Sequence, residues 1–223
     1  MSSDQDVAEA STIWESLAPP WQCCLEEAWA AYCAGSLPIG AVVTDVSGRL
    51  LSRGRNRIFD TTAHKANLYG HRLAHAEMNA LIALDHGNVD PEQCVLYTTT
   101  EPCPLCVGAI RMIGVRDVRY ASRDSAAGSI ELLTATPFMR RKEMRVVGPE
   151  RADIEAVIVA LNVEFKLHTD TAPAWVLDTW EVTVPAGVSL GRVLHKSGEL
   201  RRMRDTATPI ADVVDALAAR LLG

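Results

Sequence analysis

Apolar residues recur at helical spacing from Trp21 to Ala34, where Leu25, Ala28 or Trp29, and Tyr32 share a face. Pro19-Pro20 precedes this helix and Gly35-Ser36-Leu37-Pro38 ends it. The valine-rich run Ile39 to Asp45, a Ser47-Gly48 turn and a return from Arg49 to Gly54 predict a hairpin. Residues 57–74 show no clear period and read as a loop carrying His64, Tyr69 and His71. A helix follows from Ala74 to Leu84. The strand Val95 to Thr99 leads straight into a helix over 103–113. Val115 to Ala121 is the next strand, Arg145 to Gly148 a short fifth, and Ala152 to Phe165 a long helix. Strands that alternate with helices indicate an α/β layered fold.

From Ala172 the pattern changes. Trp180, Val182 and Val184 alternate with Glu181 and Thr183, which predicts a half-buried strand. Pro185-Ala186-Gly187 reads as a turn and Val188 to His195 as the partner strand. Thr208 caps a last helix with Pro209 at its first position, and Ile210, Val213, Val214, Leu217 and Leu221 form its apolar stripe. The chain therefore divides into a body over 1–166, opened by a polar leader, and an α+β extension over 167–223. The extension is too small for an independent core, so it is expected to pack on the body or on a second subunit.

The 223 residues suit one domain with an appendage, and 48% hydrophobic content is enough for a sizeable core. No apolar run approaches the length of a membrane span. The start, Met1-Ser2-Ser3-Asp4-Gln5-Asp6, is polar and acidic, unlike a secretory signal, which points to a reducing cytoplasm. Cys23, Cys24, Cys33 and Cys94 are then expected to be buried thiols. Net charge is −6, which argues mildly against a nucleic-acid partner, because phosphate contacts need a basic face. The basic clusters Arg140-Arg141-Lys142 with Arg145, and Arg201-Arg202 with Arg204, read as solvated faces.

Candidate chemistry concentrates in His75-Ala76-Glu77 and Pro102-Cys103-Pro104-Leu105-Cys106. Zinc prefers four tetrahedral ligands and accepts both thiolate and imidazole. His75, Cys103 and Cys106 supply three, which leaves one position open for water, as catalytic sites do. Cys103 and Cys106 are three apart and share a helix face. His75 and Glu77, two apart, both reach a metal lying off a helix end. Two helix N-termini aimed at one zinc would also favour the thiolates. Glu77 is free to move protons to and from the water. A redox Cys-x-x-Cys would need no distant His-x-Glu, and a structural zinc site would need a fourth protein ligand.

Together the two motifs match the pattern of zinc nucleobase deaminases. The stretch from Leu37 to Phe165 resembles the cytidine deaminase-like superfamily, nearest the branch of guanine deaminases and bacterial tRNA adenosine deaminases. The residues that carry this are Pro38 to Val43, Gly54-Arg55-Asn56, Ala74-His75-Ala76-Glu77, Thr100 to Cys106 and Arg123-Asp124. The resemblance implies a three-layer α/β/α sandwich around a five-stranded mixed sheet, and a homodimer. It implies substrate contacts from Asn56, from the Ala76 N–H and from Asp124. Taken alone, Asn56 could equally end a strand and Asp124 could cap a loop. The loop before His75 is longer than is common in that branch and could reshape the pocket through His64 or His71, although solvent-exposed histidines are the plainer reading. In guanine deaminases the chain end closes over the pocket, and the extension here is compared with it by analogy. The expected activity is zinc-dependent hydrolytic deamination of a free nucleobase, nucleoside or related small heterocycle, with a guanine-like purine favoured. The alternatives are a tRNA adenosine deaminase and a non-catalytic zinc-binding subunit, which the intact Glu77 opposes.

Overall fold

The computed structural model describes residues 11–62, 67–171 and 173–222. Helix α1 (Pro19–Cys33) leads into the hairpin β1 (Gly40–Asp45) and β2 (Leu50–Arg55). Then come α2 (Ala76–Ile82), β3 (Cys94–Thr100), α3 (Pro104–Ile113), β4 (Asp117–Ser122), the single turn α4 (Pro137–Arg140), β5 (Arg145–Val147) and α5 (Ala152–Thr169). The sheet runs β2-β1-β3-β4-β5, antiparallel at β1/β2 and β1/β3, parallel at β3/β4 and β4/β5. This is the expected five-stranded mixed sheet.

Strand alternation sorts the core into two layers. Val42, Val95, Tyr97 and Ala121 face one side and pack with Trp21, Leu25 and Tyr32 of α1 and with Ile158 and Leu161 of α5. Ala41, Val43, Leu96 and Val118 face the other side and pack with Ala76, Ala80 and Leu81 of α2 and Ile110 of α3. The sheet is thus covered on both faces, the expected α/β/α sandwich.

The extension holds the main correction. No strand lies in it among the described residues: it is α6 (Ala174–Thr183), α7 (Pro185–Ser197), α8 (Glu199–Asp205) and α9 (Ile210–Leu222). Trp180, Val182 and Val184 do alternate in sequence, but Val182 is 84% exposed while Val176, Leu177, Trp180 and Val184 are buried. That spacing is helical. Pro185 is the first residue of α7 and not a hairpin turn. In α7 the glycines disguise the helix. A β-carbon on Gly187 would lie 2.7 Å from the Ala156 carbonyl oxygen, and one on Gly191 would lie 2.6 Å from Val163 Cβ. The bare backbone at these two positions, four apart, is what lets α7 lie directly on α5.

Further contacts fasten the extension. Trp29 Nε1 donates to the Thr208 carbonyl at 3.0 Å, and the Trp14 N–H donates to Asp215 at 2.8 Å. Arg201 pairs with Glu164 at 3.1 Å, and Glu164, fully buried, also accepts from Tyr32 at 2.7 Å. Arg201 is therefore a structural ion-pair partner and not part of a solvated face. Arg140, Arg141, Lys142 and Arg145 are exposed as expected. Cys24 and Cys94 are buried, Cys23 is partly so, and Cys33, expected inside, is exposed near the C-terminal end of α1.

Replacing Gly191 by valine forces a side chain into backbone and Cβ atoms of α5 that cannot swing away. A destabilisation of about 1–3 kcal/mol is expected. It should appear as a fall of several degrees in melting temperature by circular dichroism. An unchanged transition would show that α7 does not need this close approach.

Candidate active site

His75 immediately precedes α2 and Cys103 immediately precedes α3, each in extended backbone as the N-cap residue. Gly54 sets the height of α2 on the sheet, since a β-carbon there would lie 2.2 Å from the Ala80 nitrogen and 2.4 Å from the Ala76 oxygen. Cys103 lies just beyond the C-terminal end of β3 and Asp124 just beyond that of β4. The site therefore opens where neighbouring parallel strands end, the usual place for ligands on such sheets.

His75 Nδ1 is 3.4 Å from Cys103 Sγ and 3.4 Å from Cys106 Sγ, and the two sulfurs are 3.6 Å apart. Zinc bonds of about 2.3 Å to sulfur and 2.0–2.1 Å to nitrogen, arranged tetrahedrally, separate the donors by about 3.5–3.8 Å. The three atoms thus fit one zinc ion, and three protein ligands leave a fourth position for another group. The Cys103 thiol is held down to about 4, chiefly by the bond from Cys106 and then by His75 against burial. The same bond and burial push the Cys106 thiol up.

Glu77 is buried in the first turn of α2. Its Oε1 accepts from Thr98 Oγ1 at 3.1 Å and its Oε2 from Cys106 Sγ at 3.4 Å. Burial raises its carboxyl above the usual range, with His75 opposing. The residue is therefore fixed beside the donors with a carboxyl moved toward the neutral range, which suits proton transfer.

A cavity of about 220 Å³ opens on these groups. His75, Glu77, Cys103, Asn56 and Asp124 all line it, so the structure gathers five of the seven expected residues at one hollow. Asn56 Oδ1 accepts from Ser36 Oγ and from the Ile58 N–H, both at 3.1 Å. Those bonds fix the amide and leave Nδ2 to donate. Asp124 Oδ1 accepts from the Ala126 and Ala127 N–H groups at 3.0 and 3.1 Å, so the loop-capping role is real and coexists with its place in the wall. Ala76 is different: its side chain is fully buried in the core and lines nothing, which leaves only its backbone at the N-terminal end of α2.

The loop before His75 does not contribute to the wall among the described residues. It is held by Asp60, which pairs with Arg55 at 2.6 Å and Arg57 at 2.9 Å, and by Asn79, whose amide bonds both ways with Leu68. His71 is exposed and its Nδ1 accepts from the Leu73 N–H; His64 lies outside the described residues.

Other wall residues were not anticipated. Thr100 and Glu101 bridge β3 to Cys103. Asn162 and Lys166 lie one helical turn apart on α5, and Trp175, Val176 and Trp180 come from α6. A polar pair at spacing four inside the apolar α5 run was the readable signal for Asn162 and Lys166. Reading Trp180 to Val184 as a strand concealed Trp180, and Trp175 and Val176 fell in a stretch assigned to no element.

Residues 19–122 match the family model described as the cytidine and deoxycytidylate deaminase zinc-binding region. The chain is 34% identical to a probable cytosine deaminase of Schizosaccharomyces pombe over 82 residues, 37% of this chain and 45% of that protein. It is 34% identical to a guanine deaminase of Bacillus subtilis over 92 residues, 40% of this chain and 53% of that one. The chain thus spans about half the length of these two relatives. A solved structure from studies of A-to-I editing by tRNA:A34 deaminases superposes with a TM-score of 0.52 at 26% identity, covering 62% of this chain and 97% of that chain.

The purified chain is expected to carry about one zinc, measured by inductively coupled plasma mass spectrometry. Cys103→Ala/Cys106→Ala should lose it. Stoichiometric zinc retained in that double variant would remove these residues as ligands.

Proposed function

From the premise that residues 19–122 belong to the cytidine deaminase-like superfamily of zinc deaminases, we propose that the chain hydrolytically deaminates a free nucleobase, nucleoside or related small heterocycle, with a guanine-like purine favoured. The observation that carries this is the apolar lining of the cavity. Trp175, Val176 and Trp180 of α6 line the same hollow as His75 and Glu77. A small ring suits a hollow of this size with apolar walls and a few polar groups.

In this reading His75, Cys103 and Cys106 hold zinc, and Asn56 and Asp124 hold the ring. Zinc at this point supplies Lewis acidity, lowering the pKa of water toward neutrality. Glu77 takes a proton from the attacking water and passes protons to the ring nitrogen and to the departing amine. A C–O bond forms and a C–N bond breaks, so one water is consumed and one ammonia released. Thr98 fixes the carboxylate through Oε1, leaving the carboxylate edge near the donors for the shuttle. The six free cysteines suit a reducing cytoplasm. A homodimer is part of the proposal on the resemblance alone, and sedimentation tests it.

A second reading, tRNA adenosine deamination, is favoured by the superposition on the tRNA:A34 deaminase structure. The two differ in salt dependence, because phosphate contacts weaken steeply as salt rises. Ammonia release from guanine, adenine, cytosine, their nucleosides or triazines, with little response to salt, supports the small substrate. Inosine formation in tRNA with no turnover of any small ring supports the other.

Glu77→Gln should keep zinc and fold yet lose at least about a hundred- to ten-thousandfold in turnover. Near-native rates in a zinc-loaded variant would mean that another group moves the protons.

A further inference from the structure

Among the described residues lining the cavity, Lys166 is the one lysine or arginine. It is half-buried in the last turn of α5, with Nζ 5.6 Å from the centroid of the Trp180 ring. Among the described residues no carboxylate lies within ion-pair distance of it. The nearest influence of opposite sign is Asp124 in the same wall, which opposes the downward pull of burial on the ammonium. A cation taken out of water without a counter-ion is costly, so a group that stays charged here gains most when something in the cavity accepts from it.

The other walls limit what that acceptor can be. Glu77, Glu101 and Asp124 line the same hollow. A phosphate, with about −1.5 to −2 charge, would face three carboxyl groups to meet one ammonium. A neutral carbonyl oxygen suffers no such repulsion. Asp124 spends Oδ1 on two backbone N–H groups, and no described group donates to its Oδ2. The wall thus offers a cationic donor and a carboxylate acceptor together. This is complementary to a lactam edge, a ring C=O beside a ring N–H.

We propose that Lys166 is a specificity-determining residue, donating to an oxo group on the substrate ring while Asp124 accepts from the adjoining ring N–H. This rests on the deaminase reading above and narrows it to amino-oxo heterocycles. Guanine has this edge. 2-Aminopurine carries the same 2-amino leaving group and lacks both the oxo group and the adjoining N–H.

The test compares zinc-loaded wild type, Lys166→Met and Lys166→Arg on guanine and on 2-aminopurine. Ammonia release gives kcat and KM, and calorimetric titration of each ring gives binding. Methionine keeps an unbranched stem against Trp180 and removes the charge. The loss for guanine should be about ten- to a hundredfold in kcat/KM, mostly in KM, since a hydrogen bond to a charged group is removed. For 2-aminopurine it should be less than about threefold, and arginine should restore part of the guanine preference. Equal losses on both rings would assign Lys166 to packing against α6, and unchanged kinetics would give it no role; either overturns the proposal. Turnover of neither ring by wild type, nor of any ring in the wider panel above, would count against the deaminase reading, and calorimetry would then decide the role of Lys166 separately. Tighter binding of guanine that Lys166→Met abolishes upholds the role of Lys166. Equal or absent binding of the two rings rejects it.

Discussion

The burial of α5 on every side is the constraint from which most of this architecture follows. All twelve residues from Ile154 to Phe165 are buried. One face rests on the sheet with α1, and the opposite face needs a second cover, because a helix apolar all round is stable only inside a protein. The extension supplies it. Ala156, Val159 and Val163 of α5 join Val176, Leu177 and Trp180 of α6 and Val188 of α7 in one cluster. Glu164, the fully buried acid of this helix, is accommodated because Tyr32 and Arg201 reach it from α1 and α8. Removing one partner of such a buried pair strands a charge, so the body and the extension are interdependent.

The metal-donor geometry follows from a different economy. Two helix starts converge because β1, β2 and β3 fix where α2 and α3 begin, and each N-cap position carries a donor. Neither N-cap side chain makes a capping bond, so both remain available to a cation. The helix ends help to keep a thiolate in this partly buried place. The bare Gly54 brings α2 down until Glu77 reaches Thr98 and Cys106.

These two halves of the site differed in how far the chain alone disclosed them. His75, Glu77, Cys103 and Cys106 belong to short motifs in which spacing and chemistry agree, so local reasoning sufficed. The hairpin and β3 were equally readable from valine-rich runs between glycine turns. The extension was not. Gly187 and Gly191 weaken a helix signal locally, and only the neighbouring α5 makes them favourable. Trp180, Val182 and Val184 alternate over too short a span to separate the two periods, and Val176 and Leu177 were needed to decide. Arg201 looked like one charge in a solvated run because its partner Glu164 is 37 positions away. The cavity wall combines residues from across the chain, which no single stretch records.

The consequence is a division of labour. Glu77 and the candidate donors His75, Cys103 and Cys106 sit at the starts of α2 and α3, beside the end of β3. Asn162, Lys166, Trp175 and Trp180, which line the same cavity, lie on α5 and α6. Trp180 also packs in the buried cluster against α5, so it serves the covering as well as the wall, whereas Trp175 is exposed and lies outside that cluster. The net charge of −6 does not describe this cavity, whose described lining combines one ammonium, three carboxyl groups and aromatic side chains. In a hollow walled by protein, short-range complementarity outweighs net charge as a source of specificity, since buried groups left unpaired by the wrong ligand are costly.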